Sequence, residues 1–292
     1  MAKPVVVGLD GSPSSLDAVA AAAHEAALRG AQLRLVHAFG STPIRSLPDG
    51  PPWNPAAAGV RELLDGTLTA AERRAHDVAP GIDIARDVTV GEPLTVLEIA
   101  SRTSALVVVG SRGLNAFGSL LLGSTSAHLA AHGRCPVLVV RGGRNPAGPV
   151  LLAVEDAPAS EGAVRFAFAE ASLRGADLNA LHVCRTGSSD SYDGPADPPF
   201  VTYSESHLRE HAAQVLEESL SSVQKRYPDV TVRRMPLVGR VRHTIIEASA
   251  DAQLLVAGAR GRGGFTGLLL GSVSQALLHH AQCPVAVVPH RE

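Results

Sequence analysis

The chain has 292 residues, a formal net charge of −2 and a hydrophobic fraction of 45%. This length suits about two domains of ~150 residues, and the apolar content excludes a disordered chain. No basic block is present, which argues against nucleic acid or an acidic membrane surface as the main partner.

No apolar run reaches the ~20 residues needed to span a bilayer. The chain starts with a strand-like run and has no signal-peptide layout, so we expect a cytoplasmic protein. Three cysteines are too few for a disulfide scaffold. Cys135 and Cys283 each precede proline without a C-x-x-C motif, and are expected to be small buried residues at a strand entrance.

Apolar runs and helical patterns alternate along the first half. They predict strands at 5–9, 33–39, 82–90, 106–109 and 137–140, and helices at 13–29, 57–79, 93–102 and 124–132. Gly30 occupies a C-cap position, and the segment 40–55, with five prolines, is predicted to be a loop.

The second half repeats the first. Residues 5–39 and 150–184 share 14 identities in 35 positions, and residues 104–140 and 252–288 share 19 in 37. The Gly/Pro-rich segment 142–148 is the predicted linker, so we expect domains at 1–142 and 149–292. A second long loop is expected at 186–200.

Alternating strands and helices predict two tandem, doubly wound, parallel α/β sheets. Ligands of such sheets bind beyond the carboxyl ends of the strands, at the switch in strand order. Asp10 and Gly110 both follow apolar runs, so we expect both at that edge.

A glycine pattern occurs twice between an apolar run and a helix. Gly110-Ser-Arg-Gly113 is followed after nine residues by Gly123-Ser124, and Gly258-Ala-Arg-Gly261 is followed after nine by Gly271-Ser272. Glycine permits close backbone approach, and a helix N-terminus favours an anion. The pattern therefore predicts a loop that holds a phosphate chain.

Two interpretations stay open for the polar residues of these loops. Asp10 either accepts hydrogen bonds from ribose hydroxyls or helps to hold a metal, or else it caps the next helix. Ser12 is expected to be a cap. Ser124 and Thr125 are expected to be N-cap residues that also contact phosphate. Arg112 and Arg260 are either phosphate ligands or exposed loop arginines.

Several enzyme signatures are missing. Gly118 to Ser124 has Walker A spacing without the lysine, and the glycine loop follows the fourth predicted strand rather than the first, unlike a dinucleotide fingerprint. The only lysines are Lys3 and Lys225. No serine-hydrolase elbow or zinc-protease histidine motif occurs.

The segment 5–12, the repeated glycine spacing and the Cys-Pro-Val near each end resemble the universal stress protein family, in its ATP-binding branch. The resemblance covers nearly the whole chain. It implies a five-stranded parallel sheet in each half, of the adenine nucleotide α-hydrolase-like or Rossmann-like kind, with one ATP per domain and possibly Mg²⁺. It also implies pairing of the halves through their last strands, 137–140 and 285–288, and allows a homodimer.

The resemblance assigns nucleotide-binding roles residue by residue. Asp10 is placed at the ribose or adenine, Ala38 near adenine, and Gly110 to Gly113, Gly123, Ser124 and Thr125 at the phosphates. The full set of expected nucleotide-binding residues is Gly8, Asp10, Ala38, Gly110, Ser111, Arg112, Gly113, Gly123, Ser124, Thr125, Ala153, Glu155, Val183, Gly258, Ala259, Arg260, Gly261, Gly271, Ser272, Val273 and Ser274.

The second half departs from the family pattern at its first strand. Ala153-Val-Glu155-Asp-Ala157 replaces Gly8-Leu-Asp10-Gly-Ser12. We expect ATP in both halves, with the second site weaker or differently tuned.

Three functions compete at this point. The first is a non-catalytic, ATP-dependent regulator of stress or signalling with an unidentified protein partner. The second is a slow ATPase or nucleotide α-hydrolase, and the third is an interaction module that needs no nucleotide. The missing lysine favours the first, because lysine commonly assists phosphoryl transfer.

Overall fold

The computed structural model describes residues 2–39, 55–113, 122–143, 145–155, 157–185, 204–259 and 270–290, with side chains of 39, 55–63 and 157–159 left aside. The chain forms two compact units, Met1–Val140 and Arg141–Glu292. The predicted loops at 40–55 and 186–200 lie outside the described residues, except for Pro55. Among the helices of the described ranges, none combines the length and apolar character that crossing a membrane requires.

The described residues of the first unit form a five-stranded parallel sheet with four helices. Its elements are β1 (Val5–Leu9), α1 (Pro13–Arg29), β2 (Leu33–Phe39), α2 (Pro55–Val78), β3 (Ile84–Val90), α3 (Pro93–Ser101), β4 (Leu106–Gly110), α4 (Ser124–His132) and β5 (Val137–Val140). The strand order is β3-β2-β1-β4-β5. The parallel sheet and its doubly wound class are confirmed.

Two predicted boundaries shift by two residues. Helix α2 begins at Pro55 rather than 57, because the fixed φ of proline suits the first helical position. Strand β3 begins at Ile84 rather than 82, because Ile82 still belongs to the preceding turn. The N–H of Ile82 donates to the Ala79 carbonyl at 3.2 Å, and Gly81 has a φ of 83°.

The second unit has the same plan. Its elements are β6 (Val150–Ala153), α5 (Ala157–Arg174), β7 (Leu178–Cys184), α6 (Glu205–Gln224), β8 (Val232–Val238), α7 (Val241–Ala248), a 3-10 turn (Ser249–Asp251), β9 (Leu254–Gly258), α8 (Ser272–His280) and β10 (Val285–Val288). Its strand order, β8-β7-β6-β9-β10, repeats that of the first unit.

Helix α1 owes its position to its composition. It is rich in alanine, and Ala18 to Ala23 are buried because α1 packs on both the sheet and α2, where small side chains permit a close approach. The Ser12 side chain caps its start, and Gly30, with a φ of 55°, ends it in the left-handed region. The short β1–α1 connection therefore brings Asp10 to the carboxyl edge of the sheet.

Strand order places the two predicted loops side by side. Strands β1 and β4 are neighbours although about a hundred residues separate them in sequence. Chain connections leave β1 toward β2 and β4 toward β5, so the strand order switches between them. A crevice is expected at such a switch.

Candidate functional site

A cavity of about 590 Å³ lies at this switch in the first unit. Its walls come from the ends of the strands, the starts of α1, α3 and α4, and the glycine loop. The lining residues are Gly8, Leu9, Asp10, Ser15, Val36, Ala38, Pro93, Leu97, Val109, Gly110, Arg112, Gly113, Leu122, Gly123, Ser124, Thr125 and Ser126. All the residues expected in this half line the cavity except Ser111.

Asp10 lies in the connection after β1. Its Oδ1 accepts the N–H of Ser12 at 3.0 Å, and Gly11 has a φ of 84° that permits this turn. The helix cap is Ser12, whose Oγ accepts the N–H of Ser15 at 3.2 Å. Of the two interpretations of Asp10, the N-cap is therefore wrong, and the carboxylate lines the cavity.

At two positions of the loop only glycine fits, because a Cβ would be too close to neighbouring atoms. A Cβ on Gly113 would lie 2.8 Å from Oδ2 of Asp10, and a Cβ on Gly110 would lie 2.6 Å from the backbone oxygen of Ser14. Gly110 thus lets the loop pass directly over the first turn of α1. Gly113 keeps space beside the Asp10 carboxylate.

Backbone hydrogen bonds hold the loop at its two ends. The N–H of Ser111 donates to the Val140 carbonyl at 3.1 Å, and the N–H of Gly123 donates to the Ser111 carbonyl at 2.9 Å. Ser111 therefore acts through its backbone. The side chain of Ser126 donates to the Gly110 carbonyl at 2.6 Å, which ties α4 to the end of β4.

Helix α4 begins at Ser124 as predicted, but its N-cap differs from the prediction. The N-cap is Gly123, which has no side-chain hydrogen bond, and Ser124 is the first helical residue. The expectation that Ser124 and Thr125 are N-caps is therefore wrong, because the extended cap conformation falls one residue earlier. The N–H of Ala127 donates to the Gly123 carbonyl. The N–H groups of the first helical turn, before Ala127, therefore have no acceptor within the helix.

The other end of the cavity is apolar. Val36 and Ala38 of β2 face the same side of the sheet as Gly8, and Leu97 of α3 covers them. A Cβ on Gly8 would lie 2.7 Å from Leu97 Cδ1, so a glycine is needed for α3 to pack this closely. A flat apolar group fits here, and hydrogen-bonding ligand groups fit at the loop end.

His37 lies beside Asp10 in the strand register, paired with Leu9. Burial lowers the pKa of His37 below its ordinary value of 6.5, and the nearby Asp10 carboxylate partly opposes that shift. Its Nδ1 is buried, and an interaction with the Leu9 backbone also opposes the shift only in part. We therefore expect a neutral imidazole next to the site at neutral pH.

The second unit keeps the hydrogen bonds at the two ends of its glycine loop. Ala259 donates to Val288 at 2.8 Å, Gly271 donates to Ala259 at 2.8 Å, and the Ser274 side chain donates to the Gly258 carbonyl at 2.6 Å. Ser272 begins α8 behind the N-cap Gly271 and is followed by Val273. Arg260 and Gly261 lie outside the described residues.

The β6–α5 connection differs from its counterpart. The N–H of Glu155 donates to Ser160 Oγ at 3.0 Å, whereas in the first unit the matching serine, Ser15, donates to the Ser12 carbonyl at 2.8 Å. Ala153 ends β6 and Val183 lies on β7. The hydrogen bonds that follow the first strand therefore differ between the two units.

Metal and thiol chemistry receive little support in the described part of the chain. No group of three or more His, Cys, Asp or Glu residues there is arranged to hold a metal ion. Cys135 and Cys283 are 1% exposed, which confirms the prediction of buried residues at a strand entrance. Burial raises the pKa of the Cys283 thiol to about 12, so it stays protonated.

Sequence reasoning missed several lining residues. Val36, Leu97 and Val109 come from three elements that only the fold brings together. Ser126 had a usable signal, because Ser274 holds the same position in the second half and makes the same hydrogen bond.

Known proteins resemble both halves of the chain. The model of the "Universal stress protein family" matches residues 1–141 and 147–289. A universal stress protein of Mycobacterium tuberculosis is 36% identical over 305 residues, which cover 97% of this chain and 94% of that protein. One of Mycolicibacterium smegmatis is 38% identical, covering 98% and 97%.

A crystal structure shares the fold. It is that of a universal stress protein from Archaeoglobus fulgidus, with a TM-score of 0.70 and 17% identity over 98% of both chains. Together with the two matches of the family model, these similarities assign each half of the sequence to one family domain. The chain belongs to the universal stress protein family.

Proposed function

We propose that the chain is a nucleotide-dependent regulator that binds ATP in the cavity of its first unit without turning it over. The observation that carries the proposal is this cavity, which is apolar at one end and has a helix N-terminus and a glycine loop at the other. Its volume of about 590 Å³ lies in the range usual for small-molecule sites, roughly 300–1,000 Å³.

The cavity offers matching chemistry for each part of ATP. Val36, Ala38 and Leu97 supply an apolar slot for adenine. The Asp10 carboxylate accepts hydrogen bonds from ribose hydroxyls, because an ionised carboxylate is an acceptor only. The phosphates meet the loop backbone, Arg112 and the first amides of α4, where the helix dipole favours negative charge.

The cavity is poorly equipped for catalysis. Among the described lining residues, Asp10 and Arg112 carry the charged side chains. Lys3 and Lys225 are exposed, and neither lines it. Mg²⁺, when bound with ATP, neutralises phosphate charge; the phosphate oxygens and Asp10 are suitable ligands for it. We therefore expect bound ATP to stay intact for much longer than the turnover time of a typical enzyme.

The regulatory role follows from binding without turnover. Nucleotide changes a protein's behaviour only if the two states of the protein differ in affinity for it. The relatives at 36% and 38% identity are named universal stress proteins, which supports a role in stress response or signalling, with a protein partner that senses occupancy.

The first test is the nucleotide content of the purified chain. We expect denaturation to release ATP, detected by chromatography, and a fresh sample to leave added ATP and Mg²⁺ intact. Release of ADP, or steady formation of ADP or of AMP with pyrophosphate at about 1 per second, would instead support the ATPase or α-hydrolase alternative.

A matched pair of variants tests the site itself. We expect Asp10→Ala to weaken ATP binding by roughly 10- to 100-fold, the value of a hydrogen bond to a charged group. Asp17→Ala removes the same charge from an exposed position of α1 and should bind as the parent does. Titration calorimetry measures both, and equal affinities of the two variants would refute the assigned site.

A further inference from the structure

We propose that the second unit excludes adenosine, so that the full chain binds one ATP rather than two. This inference rests on the proposed function of the first unit. It concerns the nucleoside end of the second site, where three side chains are larger than their counterparts: Ala153, Leu181 and Val183 stand in the places of Gly8, Val36 and Ala38.

The strand register places these residues at equivalent positions in the two units. Gly8 pairs with Val36 across β1 and β2, and Ala153 pairs with Leu181 across β6 and β7. Helix α3 packs on β2, and α7 packs on β7. The three larger residues therefore occupy the positions that form the apolar slot in the first unit.

The added atoms take up space on β7. Leucine has one carbon more than valine, and valine has two more than alanine. Leu181 is 1% exposed and Val183 is 8% exposed, so both side chains are enclosed by protein. A planar base that fits over Val36 and Ala38 meets three extra carbons at the same place in the second unit.

One neighbouring position becomes smaller, and it does not restore the room. Ala257 replaces Val109, whose Cγ1 would lie 3.5 Å from a Cβ on Gly8. In the second unit, the position that matches Gly8 carries a methyl group, because it is Ala153. Two carbons are lost at 257, one is gained at 153 and three are gained at 181 and 183, so these positions together carry two more carbons in the second unit.

The polar contacts of adenosine change as well. Ser12, whose hydroxyl caps α1, is replaced in sequence by Ala157, and the N–H of Glu155 donates to Ser160 Oγ. Glu155 is one carbon longer and exposed. Thr125 becomes Val273, which removes a hydroxyl beside the phosphates. Overpacking together with these losses is expected to weaken ATP binding by roughly 100-fold or more.

The experiment counts ATP bound to the full chain by equilibrium dialysis, well above the Kd of the first site. We expect one ATP for the wild type and two for the triple variant Ala153→Gly, Leu181→Val and Val183→Ala. The reciprocal triple variant Gly8→Ala, Val36→Leu and Ala38→Val should bind none. Circular dichroism checks that each variant is folded, and Val183→Ala alone, a milder change, should already tighten the second site.

The outcomes separate the two proposals. Two ATP per wild-type chain with similar affinities would overturn this inference and leave the proposed function intact. A folded enlarged variant that still binds one ATP, or a folded reciprocal variant that keeps its ATP, would overturn the assignment to these side chains. No ATP bound by the wild type would overturn the proposed function and this inference with it.

Discussion

Contacts across the cavity fix the positions of individual residues in the first unit. Asp10 is held by the N–H of Ser12 on one side and has the empty Cβ position of Gly113 on the other. This arrangement places a carboxylate at the mouth of an apolar slot, where it can accept hydrogen bonds from ligand hydroxyls. His37, which lies next to it, is the ionisable neighbour of that carboxylate.

The depressed pKa of His37 predicts how stability depends on pH. The unfolded chain takes up a proton near pH 6.5, but the folded chain does so only at lower pH. Between these two pH values the unfolded state binds more protons, so stability is present above about pH 6.5 and falls as the pH decreases.

The variant His37→Gln tests this dependence. It should lose part of the slope of unfolding free energy against pH between pH 7 and 5, up to about 1.4 kcal/mol per pH unit for one proton. Urea unfolding at several pH values measures the slope. His207→Gln, an exposed control on α6, should keep the parent slope, and an unchanged slope in His37→Gln would contradict the argument.

Paired elements in the two units carry the same internal ion pair. Arg29 contacts Glu25 near the end of α1, and Arg174 contacts Glu170 near the end of α5. The second pair is almost fully enclosed, with Glu170 1% and Arg174 7% exposed. Removing one partner of such a pair leaves a buried charge, which is costly.

Helix α5 offers a matched test, since it also carries an exposed pair with the same spacing. Arg165 lies 2.7 Å from Glu161, and these side chains are 53% and 64% exposed. We expect Arg174→Met to lower the free energy of unfolding by about 3 kcal/mol and Arg165→Met by less than about 1 kcal/mol. Urea unfolding measures both, and similar losses in the two variants would show that burial is not the cause.

At the scale of the whole molecule, the two units share one fold but differ at their sites. Both have the strand order that creates a switch beside the first strand, and both keep the hydrogen bonds of the glycine loop. The matching positions on the first two strands differ in size, since Ala153, Leu181 and Val183 replace Gly8, Val36 and Ala38. The two units therefore share a framework but differ at the positions that we propose to face the nucleoside.

The difference between the two units can be measured, because a ligand stabilises only the unit that binds it. ATP at about 100 times its Kd stabilises the unit that binds it by about 2.7 kcal/mol. Hydrogen exchange of the full chain should therefore slow up to about 100-fold in β1 and β4, for amides that exchange through unfolding, and stay unchanged in β6 and β9. Equal protection of both units would contradict binding of a single ATP.

The sequence by itself determined the duplication, the parallel α/β class, most element bounds and the location of the glycine loops. These features are readable because they depend on local patterns: apolar runs, helical periodicity and glycine spacing repeated in two halves. The helix cap at Ser12 and the left-handed Gly30 were predicted from local chemistry for the same reason.

Only the tertiary structure decided the shape of the site. Asp10 and Gly113 approach each other across about a hundred residues of sequence, and Val36, Leu97 and Val109 form one slot from three separate elements. The cap of α4 at Gly123, rather than at Ser124, was likewise visible only in the structure. Such contacts follow from packing between distant segments, which no local pattern encodes.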